Sequence, residues 1–227
     1  MKLARVDVCQ DLLARNEQAA PDFLERIVTG DESGFLFYDP ESKQQSMEWR
    51  KPGEPAPTKV RTSQSAMKRM ATVFWDSEGI LLIQWLPQGR TINSQYYCEV
   101  LSDLREAIKK ERRGKLTRGV LLLHDNARPH TSRETQAKIQ ELGFIQLPHP
   151  PYSPDLAPSD YWLFGAMKKE LRGRRFETLQ QLATAVHKWR QNTPKDWFAA
   201  GIRKLPERWQ LCIHRSDFVE LATNDDI

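Results

Sequence analysis

The chain's 227 residues are enough for one well-buried core with decoration, or at most two small domains. A composition of 39% hydrophobic and 28% charged residues excludes wholesale disorder, and the longest apolar runs, such as Gly119 to Leu123, are far too short to span a bilayer. The net charge of +4 is compatible with a polyanionic partner without demanding one, because 34 basic and 30 acidic residues largely cancel.

Residues 3–18 read as a helix, with Leu3, Val6, Leu12 and Leu13 roughly on one face. A strand-like stretch over 27–38 ends in Phe35-Leu36-Phe37-Tyr38. Apolar periodicity then fails from Asp39 to Arg69, and Pro52, Gly53, Pro55 and Pro57 fall close together, the mark of a long functional or disordered connection. Met70–Trp75 and Ile80–Leu86 are strand candidates joined by Asp76-Ser77-Glu78-Gly79, a hairpin turn. Tyr97, Leu101, Leu104 and Ile108 fit an amphipathic helix ending near Gly114.

Val120–His124 has the apolar character of a strand buried on both faces. Thr131-Ser132-Arg133-Glu134 reads as a capping box opening a helix that stops at Gly143, and Phe144–Leu147 as a short last strand. After a Pro-rich turn, helices are expected from about Ser159, over 178–191 and over 204–214. The order is an antiparallel meander followed by alternating helices and strands. This is a mixed α/β architecture with the element order of an RNase H-like core.

Cys9, Cys98 and Cys212 are far apart and form no CxxC pair, which excludes a zinc ribbon and a disulfide framework. Buried thiols in a reducing compartment are the expectation. The chain opens on no signal-peptide pattern, so a soluble intracellular protein is expected.

Three acids stand out by their setting. Asp31 lies in Val28-Thr29-Gly30-Asp31-Glu32 within the first strand, and Asp125 directly follows the buried strand, where α/β sheets place ligand-binding groups. Asp160 falls in the first turn of a helix, where the helix dipole favours negative charge. Singly, Asp125-Asn126 is also an ordinary turn pair and Asp160 an ordinary N-terminal helix acid. Together, crowded carboxylates repel, and one takes up a proton unless cations neutralise them. Oxygen donors without a His or Cys pair select hard ions, Mg²⁺ or Mn²⁺, and two such ions clamp the oxygens of an in-line phosphoryl transfer.

The blocks His124-Asp125-Asn126-Ala127-Arg128-Pro129-His130 and Tyr152-Ser153-Pro154-Asp155-Leu156-Ala157-Pro158-Ser159-Asp160-Tyr161 resemble the signature motifs of mariner transposases. Asp125 and Asp160 are separated by 34 residues, the spacing of the mariner branch of the Tc1/mariner superfamily. Ile27–Glu32 and Gly201–Trp209 are further matches, so the resemblance covers nearly the whole chain.

It implies an RNase H-like fold and a site of Asp31, Asp125 and Asp160 holding two Mg²⁺ or Mn²⁺ ions. It further implies cut-and-paste movement of DNA with insertion at TA, a homodimer, and a nuclear location. On this division residues 1–26 are a helical linker and 27–227 the catalytic domain, with the loop 40–68 resembling the family's clamp loop. Two features depart from the pattern. The helix-turn-helix modules that read the transposon ends are expected to be absent from this chain, and Ser33-Gly34 stand where bulky or basic residues are usual.

Among the remaining features, His124 and Asn126 are candidates to support Asp125, because the spacing of His124 and His130 is not a zinc motif. The basic runs 109–115 and 168–175 are candidates for phosphate contact or are solvated helix faces, with Lys168, Lys169, Arg172, Arg174 and Arg175 favoured. Most tryptophans are expected in the core. Trp49, with Arg50 beside it, is the candidate for base stacking from the loop. Two rivals remain open: a DNA-binding or dimerisation module that has lost catalysis, and a ribonuclease H acting on RNA–DNA hybrids.

Overall fold

The computed structural model describes residues 2–19, 22–40 and 67–215. Helix α1 (Lys2–Gln18) and the short α2 (Asp22–Arg26) lead into β1 (Ile27–Leu36). The hairpin of β2 (Lys68–Asp76) and β3 (Gly79–Trp85) follows, and Gly79, at φ 131°, supplies a backbone conformation that L side chains rarely adopt. Helix α3 (Ser94–Glu111) starts where the Asn93 side chain accepts the Tyr96 N–H. Then come α4 (Lys115–Arg118), β4 (Leu121–Leu123), α5 (Arg128–Thr131), α6 (Arg133–Glu141) and β5 (Ile145–Gln146). A 3₁₀ turn (Pro154–Leu156) and a π-helical turn (Ser159–Leu163) precede α7 (Phe164–Leu171), α8 (Leu179–Asn192) and α9 (Lys195–Arg215).

Among the described residues the strands form one mixed sheet in the order β3-β2-β1-β4-β5, antiparallel across the first three and parallel from β1 to β5. This is the RNase H-like arrangement expected from the element order. Successive side chains of a strand face opposite sides, so the central strands feed two cores. Ile27, Leu121 and Leu123 join the apolar cluster with Leu163, Met167, Leu182, Ile202 and Trp209. Val28 and Leu122 join Tyr97, Leu101, Leu104 and Ile139 on the other face. Residues Cys9 and Leu12 of α1 are buried in the first cluster too, so the segment 1–26 shares a core with β1 and α9.

Three local details differ from the sequence reading. Thr131 ends the short α5, and Ser132 is the residue that caps α6, accepting the Thr135 N–H at 3.2 Å. Helix α9 starts at Lys195 rather than near 204 and carries Pro206 in its interior. Burial of Phe198, Ile202, Leu205 and Trp209 on one face outweighs the single backbone hydrogen bond that the proline forgoes.

The run 109–115 is the third. Arg112 and Lys115 turn inward onto the fully buried Asp76, with Lys115 Nζ 2.6 Å from its carboxylate. A buried carboxylate must be paired, and these cations are thereby withdrawn from any phosphate. Trp49, Arg50 and most of the loop 40–68 lie outside the described residues. Trp162 and Trp209 are core residues as expected.

Candidate functional site

The register of two parallel strands brings the first two acids together. Thr29 of β1 is the last residue paired with β4, opposite Leu123. Asp31 and Asp125 each lie two residues beyond that pair, near enough for the charge of Asp125 to act on Asp31. Beyond Leu123 the chain leaves the sheet, which frees Asp125 from ladder constraints, whereas Asp31 stays paired with Val73 of β2. The third acid arrives from the same side of the sheet, where the wide π turn swings Asp160 toward Asp31.

The electrostatics are those of crowded carboxylates. Asp31 is pushed up to about 8, first by burial and then by the charges of Asp160 and Glu32, against the help of the Glu32 N–H at 2.7 Å. Asp160 remains open to solvent, yet enough protein surrounds it that desolvation is the main cause of its upward shift, followed by the charge of Asp125. Its hydrogen bond with Asp31 works the other way and lowers it.

Burial also acts to raise Asp125, but the hydrogen bond from His130 and the Ala127 N–H at 3.0 Å overcome it and hold the carboxylate below its ordinary range.

Asp125 and Asp160 share a cleft of about 500 Å³, walled by Asn126, Arg128, His149, Pro150, Pro151 and Tyr152 among others. Its far wall is held from behind. Arg5 of α1 makes a two-point ion pair with the buried Asp155, at 3.0 and 2.6 Å, and also donates to Ser153. Arg208 of α9 donates to the Asp155 carbonyl at 2.9 Å and lies over the Tyr161 ring.

The residues expected to support Asp125 divide differently in the structure. The Asn126 amide donates to the His149 carbonyl across the cleft. His124 is buried, held neutral at about 3 by desolvation and by His130, and its Nδ1 accepts from Tyr97 Oη at 2.7 Å. The contact with Asp125 comes from His130, 2.6 Å away through Nδ1. Although burial opposes its charge, Asp125 and Glu32 push His130 up to about 9. The sequence signal for it was only the second His of the motif, five residues past Asp125, which the short α5 folds back onto that carboxylate.

Of the run 168–175, Lys168 faces the acids. Its half-buried ammonium lies over the rings of Phe35 and Phe164, and desolvation lowers it despite the charges of Asp160, Asp39 and Asp31. Arg172 pairs with Asp39 at 3.3 Å, while the exposed Arg174 and Arg175 lie over Phe176 and Tyr38. Lys169 is exposed.

Among the described residues no three His, Cys, Asp or Glu side chains stand ready-made around one ion position. The donor set nevertheless suits a hard cation. Three neighbouring carboxylates offer only oxygen, and Asp31 is raised by burial and by the negative charge of its neighbours, both of which a cation would offset.

Residues 39–118 match the family model described as Transposase (partial DDE domain). The chain is 36% identical over 211 residues to the Mariner Mos1 transposase of Drosophila mauritiana, covering 92% of this chain and 60% of that protein. It is 34% identical over 213 residues to the Histone-lysine N-methyltransferase SETMAR of Homo sapiens, over 93% of this chain and 30% of that one. The chain thus spans less than two thirds of either relative. Its fold matches the Mos1 paired end complex with Mn at a TM-score of 0.82 and 36% identity, covering 93% of this chain and 61% of that one. Against the crystal structure of the catalytic domain of Mos1 alone, the TM-score is 0.78 and the identity 33%, with 96% of this chain and 94% of that one covered. Matched across that whole domain in both sequence and fold, this chain belongs to the mariner transposases.

Proposed function

We propose that this chain is the catalytic domain of a cut-and-paste DNA transposase, a metal-dependent nuclease and strand transferase. The observation that carries the reading is the cluster of Asp31, Asp125 and Asp160, where burial and then the neighbouring negative charges raise Asp31 to about 8 beside an open cleft. These three side chains would hold two Mg²⁺ or Mn²⁺ ions, which supply the charge that stabilises an in-line phosphoryl transfer. The Mos1 structures with Mn and with Mg support that choice of metal.

The chain's own groups divide the remaining work. His130 keeps Asp125 ionised, and Asp31 gives up its proton when cations enter. Lys168, beside Asp160 and Asp31, offers an ammonium to a phosphate of the bound strand. The Mos1 paired end and strand transfer complexes support transposon-end DNA as substrate. Insertion at TA, a homodimer as the working unit and action in the nucleus belong to the same reading through the resemblance of the sequence motifs to mariner transposases. No helix among the described residues is long and apolar enough to cross a membrane. A second reading, a DNA-binding module without transposition, draws on one observation, the similarity to a segment of SETMAR.

The test is cleavage of duplex DNA with Mg²⁺ or Mn²⁺, against EDTA and against Asp160→Asn. Metal-dependent cleavage lost in Asp160→Asn is expected, with the variant's metal-free fold intact because a repelling charge has been removed. Asp160→Asn cleaving as fast as the parent overturns the assignment. A parent that binds DNA without cutting it supports the second reading, and a preference for RNA–DNA hybrids supports a ribonuclease.

A further inference from the structure

A chain of polar contacts that the proposed chemistry does not itself require runs from the side of the sheet opposite Asp31 to Asp125. Thr72 of β2 stands opposite Glu32 of β1, and its hydroxyl donates to Glu32 Oε1 at 3.1 Å. Glu32 Oε2 lies 3.4 Å from His130 Nε2, an ion-pair contact too long for a good hydrogen bond. The other ring nitrogen, Nδ1, meets Asp125 Oδ1 at 2.6 Å.

The imidazole is 1% exposed and sits in an aromatic stack. Its centroid is 4.0 Å from that of Tyr97 and 5.0 Å from that of His124, whose Nδ1 is bound by the Tyr97 hydroxyl. A ring stacked on its face, hydrogen-bonded at Nδ1 and within ion-pair reach of Glu32 at Nε2 is held close to one orientation. It therefore fixes the rotamer of Asp125, which emerges where the chain has already left the sheet and is nearly half exposed.

We propose that His130 is a positioning residue that holds Asp125 at a set distance from β1. It braces Asp125 against Glu32, the neighbour of Asp31, so that the two carboxylates present a fixed gap to a divalent cation. This rests on the metal-site reading above. The ladder alone cannot set that gap, since β1 and β4 stop pairing at Thr29 and Leu123. Supporting groups of this kind typically change metal affinity by roughly ten- to a hundredfold when removed.

The experiment measures Mn²⁺ affinity and thermal stability together in the full chain and in three variants. The amide nitrogen of His130→Asn falls near the place of Nδ1 and keeps a donor to Asp125. That of His130→Gln falls near Nε2 and serves Glu32 alone, and His130→Leu keeps only volume. Expected is near-parental Mn²⁺ affinity in His130→Asn and a loss of roughly ten- to a hundredfold in His130→Gln and His130→Leu. A merely structural histidine would order the variants by stability instead.

Folded His130→Leu with parental Mn²⁺ affinity overturns the proposal, as does folded His130→Asn with an affinity no better than His130→Leu. A parent without Mn²⁺ affinity overturns the metal centre and the brace with it. Should the variants fail to fold, Mg²⁺ titration of the ¹⁵N-histidine-labelled parent decides. The ring signals of His130 are expected to move as Mg²⁺ binds, while those of the exposed His187 and His214 stay. Saturation that leaves the His130 signals in place overturns the proposal.

Discussion

Trp75 of β2 donates its indole N–H to Ser159 Oγ at 3.1 Å, with both residues fully buried, so the sheet grips the residue immediately before Asp160. The proposed third ligand is thereby tied to the strand that also pairs with Asp31. In Ser159→Ala the indole N–H is left buried without this partner, which costs about 1–3 kcal/mol. Urea unfolding is expected to show that loss, with a fall in Mn²⁺ affinity beside it. An unchanged midpoint would show that the contact holds nothing in place.

Gly30 stands opposite Phe74 across the β1–β2 ladder, and a Cβ there would lie 2.1 Å from the phenyl ring. Phe74 is itself fully buried, its centroid 6.3 Å from that of Tyr97, and has little room to retreat. Gly30→Ala is expected to lose about 1–3 kcal/mol through overpacking and to shift Asp31, its chain neighbour. Phe74→Leu in the same chain should recover part of both the stability and the metal affinity. No recovery would locate the defect elsewhere than in that contact.

The Arg5–Asp155 pair is nearly solvent-free, with side-chain exposures of 6% and 2%. Arg5→Met removes the guanidinium from a buried carboxylate and is expected to cost about 3–5 kcal/mol by urea unfolding. Arg5→Met with Asp155→Leu removes both charges and should be markedly milder than the single change. If the double variant is the worse of the two, the pair is a net source of stability rather than a matched burden.

The pH dependence follows from opposite shifts. Asp31 is raised to about 8, so in the metal-free protein its contribution is full below its unfolded value near pH 4 and is lost as pH climbs through about 8. Asp125 is depressed, so its contribution is present above that unfolded value and is lost only as pH falls below it. His130, raised to about 9, contributes fully below its unfolded value of about 6.5 and loses that contribution as pH rises through about 9. Above neutrality the metal-free cluster therefore works against the fold, and cations relieve it. The rise in melting temperature on adding Mn²⁺ is expected to be larger at about pH 8 than at about pH 6. An increment that stays flat with pH would mean that Mn²⁺ does not displace the Asp31 proton.

The three acids could be singled out in the sequence because Asp31 lies in a strand run, Asp125 follows one, and all three sit in motifs whose order and spacing survive as text. Strand and helix periodicity also gave the meander, the parallel strands and the RNase H-like order, since a buried face imposes its repeat on the residues themselves. What linear order cannot carry is how those elements meet. Whether a lysine or arginine in 109–115 faces DNA or a buried Asp76 depends on where β2 ends in space, and the sequence shows only a basic run. His130 reads as one more polar residue until α5 folds it back five positions onto Asp125 with Glu32 behind it. The start of α9 was hidden because Pro206 interrupts local helix propensity, and only burial of one face against the sheet overrides that signal. The ionisation of the site belongs wholly to the tertiary structure. Asp31 has an ordinary side chain, and its shift comes from the burial that β1 and its neighbours impose and from the carboxylates of Asp160, Glu32 and Asp125 that the fold brings beside it.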